Sequence, residues 1–194
     1  TTRLNNSTQI FKNAVVVPDT DEGLDRVSKN KQIAYQTLLI AKEQKLDIEK
    51  ALFDNNAKVS GNATTARELA GAPAWMTTNV NFVSASSGAN PNGTGSNART
   101  DSGAPTAFTQ AKFDTVMQSI WEEGTVEFMP SRENRSRDVF IMQDNMWEVA
   151  MLRPTKNVAL AKTGDNTTRQ VVTELTLVCK NEAASGIIAD NTTS

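Results

Sequence analysis

The chain has 194 residues, with 20 Lys and Arg against 22 Asp and Glu, a single cysteine and no histidine. That length supplies one good core or two small ones, and a net charge of −2 excludes wrapping of nucleic acid by bulk charge. The missing histidine removes the commonest general base, the usual zinc ligand and the Ser-His-Asp triad together, and one cysteine excludes an internal disulfide.

No apolar run approaches the roughly 20 residues that cross a membrane. The expectation at this level is a protein without catalysis, cofactor or metal. Residues 1–18 begin polar and become QIFKNAVVV, in which Ile10, Phe11 and the three valines favour a strand ended by Pro18. A strand at an open terminus is expected to pair with something else, such as another subunit.

Residues 21–53 contain no proline, and their only glycine is Gly23 in the first turn. They predict one continuous helix, about 50 Å long at 1.5 Å per residue. Leu24, Val27, Ala34, Leu38, Ala41, Ile48 and Leu52 fall on one face, interrupted by Lys31 and Lys45, and Tyr35 is expected to pack. A long one-sided helix needs an equally long surface, which points to an elongated, architectural molecule.

A second, short helix is expected over 64–70, stopped by Gly71 and Pro73, with Trp75 and Met76 as packing residues. Residues 84–105 are rich in Gly, Ser and Asn and read as a long exposed loop; they lack the Lys of a phosphate-cradling GxxxxGK[ST] motif. Residues 106–123 predict another helix, capped by Thr109, with Phe113, Val116, Met117, Ile120 and Trp121 on its apolar face. Gly124 ends it, and 125–129 alternate as a strand.

From there the pattern is mostly β. Residues 130–138 form a charged turn, 139–142 and 146–152 read as strands with Pro154 ending the second, and 158–161 as a short third one. A turn at 163–166 precedes 170–180, where Val171, Thr173, Leu175, Leu177 and Cys179 face one way and Glu174, Thr176 and Lys180 the other. The tail from 183 keeps Ile187 and Ile188 and then dissolves into polar residues. Helices first and strands later, with little alternation, imply an α+β fold in which the long helix lies across an antiparallel sheet.

Little of this pattern carries chemistry. Arg132, Arg135 and Arg137 could contact phosphate, but Glu133 and Asp138 lie among them and no aromatic residue interleaves, so salt bridges within or between subunits are the preferred reading. Glu122 and Glu123 diverge on a helix and cannot share a substrate. Asp19, Asp21 and Asp25 suit helix capping. Cys179 reads as a small buried hydrophobe, and Trp121 and Trp147 as core residues.

Several short strings, in order from residue 9 to residue 190, carry a resemblance. They are QIF at 9–11, ATTARELAG at 63–71, MPSRENRSRDVF at 129–140, WEVAMLRP at 147–154, LAKTGD at 160–165 and NEAASGIIAD at 181–190. Together the chain resembles tailed-phage major capsid proteins, in the branch once filed as a phage-head domain of unknown function. The resemblance implies the Hong Kong ninety-seven type of capsid fold: a spine helix packed across an antiparallel sheet, an extended loop, and an axial domain that is here partly absent.

On that basis residues 1–20 are expected to be the extended-loop strand and 21–62 the spine helix of the peripheral domain. Residues 63–124 would be a loop-rich segment and helix leading into the axial domain, and 125–194 the peripheral-domain strands. Family members carry a sizeable axial segment where residues 124 and 125 here abut, so a segment is expected to be missing at that junction. The implied function is self-assembly into hexameric and pentameric capsomers of an icosahedral head that encloses double-stranded phage DNA without reading its sequence. The protein would reside in the virion, be assembled in the host bacterial cytoplasm and need no membrane, with portal, scaffolding and cement proteins as further partners. The expected intersubunit residues are Arg132, Arg135, Arg137, Arg153 and Phe11, with Lys31 and Lys45 facing the lumen or a neighbour. An encapsulin-like protein shell and a virion decoration or glycan-binding module are the alternatives.

Overall fold

The computed structural model describes residues 4–23, 31–82, 91–101, 103–121 and 137–192. The first strand, β1 (Gln9–Pro18), alternates as the sequence requires: Phe11, Val15 and Val17 are buried while Ile10 and Val16 are exposed. Its partner is in its own chain. It pairs antiparallel with β5 (Asn166–Cys179) along its whole length, from Gln9 opposite Leu175 to Pro18 opposite Asn166. The expectation that this strand pairs with something else is met by β5 of the same chain, not by another subunit. β5 is the central strand because its inward residues Val171, Thr173, Leu175 and Leu177 are buried. β4 (Trp147–Ala159) flanks it on the other side, giving an antiparallel sheet in the order β1-β5-β4.

The predicted 33-residue helix is divided. Short α1 (Asp19–Gly23) precedes α2 (Gln32–Phe53), and Lys31 between them has φ 122° and ψ 112°, which no helix accommodates. The Glu22 carboxylate of α1 accepts the backbone N–H of Ile33 at 3.0 Å, so the first element supplies the anionic cap of the second. With 22 residues, α2 is about 33 Å long. It lies across β1 and β5, but its buried stripe is rotated from the expected one. Ile33, Ile40, Gln44, Ile48 and Ala51 face the sheet, whereas Ala34 is exposed and Leu38 is 57% exposed. The true stripe passes through polar residues whose hydrogen bonds are met locally. Thr37 Oγ1 donates to the Ile33 carbonyl at 2.7 Å, and the buried Gln44 amide donates to the Phe11 carbonyl at 2.9 Å. Hydropathy periodicity cannot anticipate that.

Residues 64–70 form no helix. The Asn62 side-chain oxygen accepts the N–H groups of Thr64 and Thr65 at 2.9 and 2.8 Å and turns the chain instead. Leu69 and Ala70 are then fully buried, a one-turn 3-10 helix over Ala72–Ala74 follows, and Trp75 and Met76 enter the core as expected. Described residues 91–101 of the expected exposed loop pack onto that core. Gly95 has φ +68°, and a Cβ there would sit 2.6 Å from the Trp75 ring, so only glycine lets the loop close over the indole.

A second sheet was not foreseen. β6 (Gly186–Ile188) is its centre, parallel to β2 (Asn79–Asn81) and antiparallel to β3 (Val139–Ile141). Ile187 and Ile188 are buried, in keeping with the expectation, but Ala189, Asp190 and Asn191, expected to dissolve, are buried as well. α3 (Gln110–Trp121) covers this sheet through Val116 and Ile120. A Cβ on Gly186 would lie 2.6 Å from Val116 and 2.8 Å from the Asn79 carbonyl, so glycine lets helix and strand meet. Trp121 is 80% exposed, not a core residue, because the helix turns it away from the sheet. Trp147 does pack against the core and donates from Nε1 to Ser185 Oγ at 2.8 Å.

β4 also differs from expectation. Pro154 does not end it; the strand runs on to Ala159 with register irregularities between Met151 and Arg153 and between Arg153 and Lys156. β4 is an edge strand, so a proline inside a bulge breaks no essential ladder bond. The strand expected over 125–129 and residues 130–136 of the charged turn expected over 130–138 lie outside the described residues.

Candidate assembly surfaces

Two buried polar hubs tie distant parts of the chain together. Arg99, from the 91–101 loop, is 5% exposed. Its Nη2 donates to both carboxylate oxygens of Asp138 at 3.0 and 3.2 Å and to Asp101 at 3.3 Å, and its Nη1 to Asp190 at 3.3 Å. Arg137 Nη2 donates to the other Asp190 oxygen at 3.1 Å. The Asp138 and Asp190 side chains are 0% and 1% exposed, so each carboxylate depends on its guanidinium partners for charge compensation. Asp190 adopts φ 55°, a left-handed conformation that Asp tolerates better than most residues, and this points its carboxylate at both arginines. The hub joins the loop, the start of β3 and the segment after β6.

The second hub is Glu174 on β5. On the face opposite Leu175 and Leu177, it is 3% exposed. It accepts from Thr8 Oγ1 at 2.8 Å, Arg67 Nη2 at 2.9 Å and Arg153 Nε at 2.7 Å. The Thr8 hydroxyl, followed by the Arg153 and Arg67 guanidiniums, holds this carboxyl below its usual range against the opposing effect of burial. Lys162 binds Asp19 at the far end of the same sheet, and Lys162 and Thr167 lower the Asp19 carboxyl in the same way. Glu182 accepts the N–H groups of Thr77 and Thr78 at 3.0 and 3.2 Å. Burial, and then the nearby Glu182 charge, pushes the Cys179 thiol up to about 12, so it is not a nucleophile at neutral pH.

Of the residues expected at interfaces, Arg132 and Arg135 lie outside the described residues. Arg137 and Arg153 are in salt bridges within their own chain. Phe11 is 9% exposed and packs with Leu69 and Leu175, so its side chain belongs to its own subunit's core. Lys31 and Lys45 are both exposed. Sequence reading missed Arg99, since an arginine in a Gly/Ser/Asn-rich loop with Asp101 two residues on looks solvated; its buried partners Asp138 and Asp190 lie 39 and 91 residues away in the chain. It also missed Glu174, whose partners come from positions 8, 67 and 153.

What remains uncovered is apolar surface. On β4 and just beyond it, Val149, Met151, Leu152, Val158 and Leu160 are 39–62% exposed. On the solvent side of α2, Tyr35, Leu38 and Leu46 are 39%, 57% and 44% exposed. The total accessible surface is 11696 Å², whereas a compact monomer of this mass exposes about 9,000 Å².

Comparison with known proteins supplies the context for that surface. The family model for the SU10 major capsid protein matches residues 1–126 and 123–192. No curated protein sequence matches. Among solved structures, the chain is similar to a chain of the holo-SrpI encapsulin complex from Synechococcus elongatus PCC 7942, with 11% identity, a TM-score of 0.59, and 95% of this chain and 74% of that one covered. It is also similar to a chain of the satellite phage P4 procapsid that includes the size determination (Sid) protein, with 9% identity, a TM-score of 0.58, and 100% and 75% covered. At these identities the likeness is one of fold, and that fold is the phage major-capsid type.

Proposed function

The chain belongs to the SU10 major capsid protein family, and we propose from that premise how it builds a phage head. It is a structural protein of the capsid shell, it acts as a homo-oligomer, and its place is the virion. In the finer reading, copies assemble into hexameric and pentameric capsomers of an icosahedral head that encloses double-stranded DNA. Assembly takes place in the host bacterial cytoplasm, with portal, scaffolding and cement proteins as partners.

α2 serves as the spine helix, with β1, β5 and β4 as the peripheral sheet it crosses. Residues 63–124 lead into the axial domain, and an axial segment belongs between residues 124 and 125. The family model supports that last point by matching the chain in two stretches that meet at residues 123–126. The fold neighbours likewise have about a quarter of their length without a counterpart here, since 74% and 75% of them are covered. The near-neutral charge fits a wall that contains DNA without gripping it. The encapsulin likeness is one of fold only, so the phage-head reading is preferred over a cargo shell.

The observation that carries the reading is the family match across nearly the whole chain. A shell subunit must hold its shape while most of its stabilising partner contacts lie outside it. The test is electron microscopy with sedimentation of the expressed full-length protein. Closed shells or regular capsomers are expected; dispersed monomers at high concentration would overturn the reading.

A further inference from the structure

Asn92–Gly93 is the only Asn-Gly step in the chain, and Asn92 is exposed. The Asn92 Oδ1 accepts two bonds from one residue, from the Thr94 N–H at 3.1 Å and from the Thr94 hydroxyl. Two donors on one amide oxygen polarise its carbonyl and stabilise negative charge that develops there. Lys58 adds a positive charge beside the same turn, where its Nζ donates to the Thr94 carbonyl at 3.0 Å. Gly93 has φ +68° and no Cβ to hinder the approach of its nitrogen to the Asn92 side chain. Among the described residues, no hydrogen bond holds the Asn92 Nδ2 or the Gly93 N–H. An electrophilic carbon, an unhindered nucleophile and two oxyanion donors therefore meet in one exposed turn.

We propose that Asn92 is a self-modification site, at which the folded chain converts its own carboxamide to a carboxylate through a backbone succinimide. Hydroxide or water removes the Gly93 N–H proton, and the nitrogen lone pair forms a bond to Asn92 Cγ. The resulting oxyanion on Oδ1 rests on the two Thr94 donors. It collapses with cleavage of the Cγ–Nδ2 bond, and Nδ2 takes a proton from water and leaves as ammonia. Water then adds to either carbonyl of the succinimide and opens the ring, giving aspartate or isoaspartate. One ammonia is lost for one water gained, and nothing is oxidised or reduced. The product takes the chain's net charge of −2 one unit lower. Isoaspartate also inserts an extra carbon into the main chain, just before Gly95 packs on Trp75 and Arg99 enters its hub. Asn62 supplies an internal comparison. Its Oδ1 likewise accepts the Thr64 N–H and hydroxyl, at 2.9 and 3.0 Å, but the residue that would attack is Ala63. The two turns share their donors and differ in the nucleophile.

The test incubates the full-length protein at neutral and mildly alkaline pH and follows it by peptide mapping that separates asparagine, aspartate and isoaspartate. Conversion at Asn92 is expected to run at least ~10-fold faster than at Asn62, because the attacking nitrogen carries no neighbouring methyl group. The rate should rise with pH, since the Gly93 nitrogen attacks after losing its proton. Thr94→Val removes the hydroxyl donor and is expected to slow Asn92 about 2–10-fold, the span one hydrogen bond corresponds to, while Thr94→Ser restores the rate. In guanidinium chloride, where the turn is lost, wild type and Thr94→Val should react alike. Ala63→Gly leaves residues 92–94 untouched and is expected to speed conversion at Asn62 at least ~10-fold. An Asn92 that reacts no faster than Asn62, or an Ala63→Gly variant whose Asn62 reacts as before, overturns the proposal. So does a Thr94→Val variant that reacts like wild type when folded. Equal slowing of that variant in guanidinium chloride also overturns it, since the effect would then belong to the local sequence and not to the folded turn.

Discussion

Replacing Arg99 with Leu keeps much of the side chain's volume and removes its charge from between Asp138 and Asp190. The wild-type guanidinium makes two bonds to Asp138 and one to Asp190 at 3.0–3.3 Å, all with side-chain exposures of 3% or less. Removing one partner of a buried pair costs about 3–5 kcal/mol, because the remaining charge stays desolvated. Arg137 still faces Asp190 at 3.1 Å, which places the expected loss near the lower end. With a urea m-value of about 2–3 kcal/mol/M for a chain of this size, the midpoint should fall by about 1–2 M. Arg99→Lys should recover part of that loss, because an ammonium keeps the charge but cannot bridge both Asp138 oxygens and Asp190 in one planar fork. Equilibrium urea unfolding followed by Trp fluorescence measures both variants. A loss below ~0.5 kcal/mol for Arg99→Leu, the value for an ordinary surface position, would refute the buried-hub account.

Two other predictions address the remaining joints. The Glu174 carboxyl is lowered in the folded state, so its contribution is complete above the ordinary carboxylate pKa of 4.5 and disappears as pH falls through the lower folded value. Because Arg67 and Arg153 are half exposed, screening limits Glu174→Gln to a loss of about 1 kcal/mol at pH 7. The gap between variant and wild type should close as unfolding midpoints are followed down through the acid range; a gap that persists would refute the pairing. Gly186→Ala should destabilise by about 1–3 kcal/mol through overpacking, since the new methyl meets Val116, Ile120 and the Asn79 carbonyl within 3 Å. Val116→Ala should partly rescue it in thermal unfolding, and additive losses would refute the contact.

The capsid resemblance was carried by short strings, and the structure explains why those strings are distinctive. ATTARELAG contains Arg67, which reaches Glu174, and Leu69 and Ala70, which are fully buried. NEAASGIIAD contains Glu182 under the Thr77–Thr78 backbone, Ser185 under Trp147, Gly186 against α3 and Asp190 in the arginine hub. These are joints between distant parts of one subunit, and each joint admits few residue types. Phe11, Arg137 and Arg153 also make contacts within the chain, the two arginines in salt bridges that leave them 30% and 53% exposed.

By itself the sequence determined what local chemistry controls. The alternation of β1 and β5, the helical periods of α2 and α3, and the absence of histidine chemistry all follow from residues near one another in the chain. Only the tertiary structure decided which face of α2 is buried, because the polar Thr37 and Gln44 are acceptable there once their hydrogen bonds are met. It also decided that the polar tail is core, that a Gly-rich loop delivers a buried arginine, and that Pro154 sits within a strand rather than after one. The physical reason is the same in each case. A polar or strand-breaking residue is excluded from an interior only while it is unpartnered, and here the partners range from one helical turn away, for Thr37, to more than a hundred residues away, for Glu174.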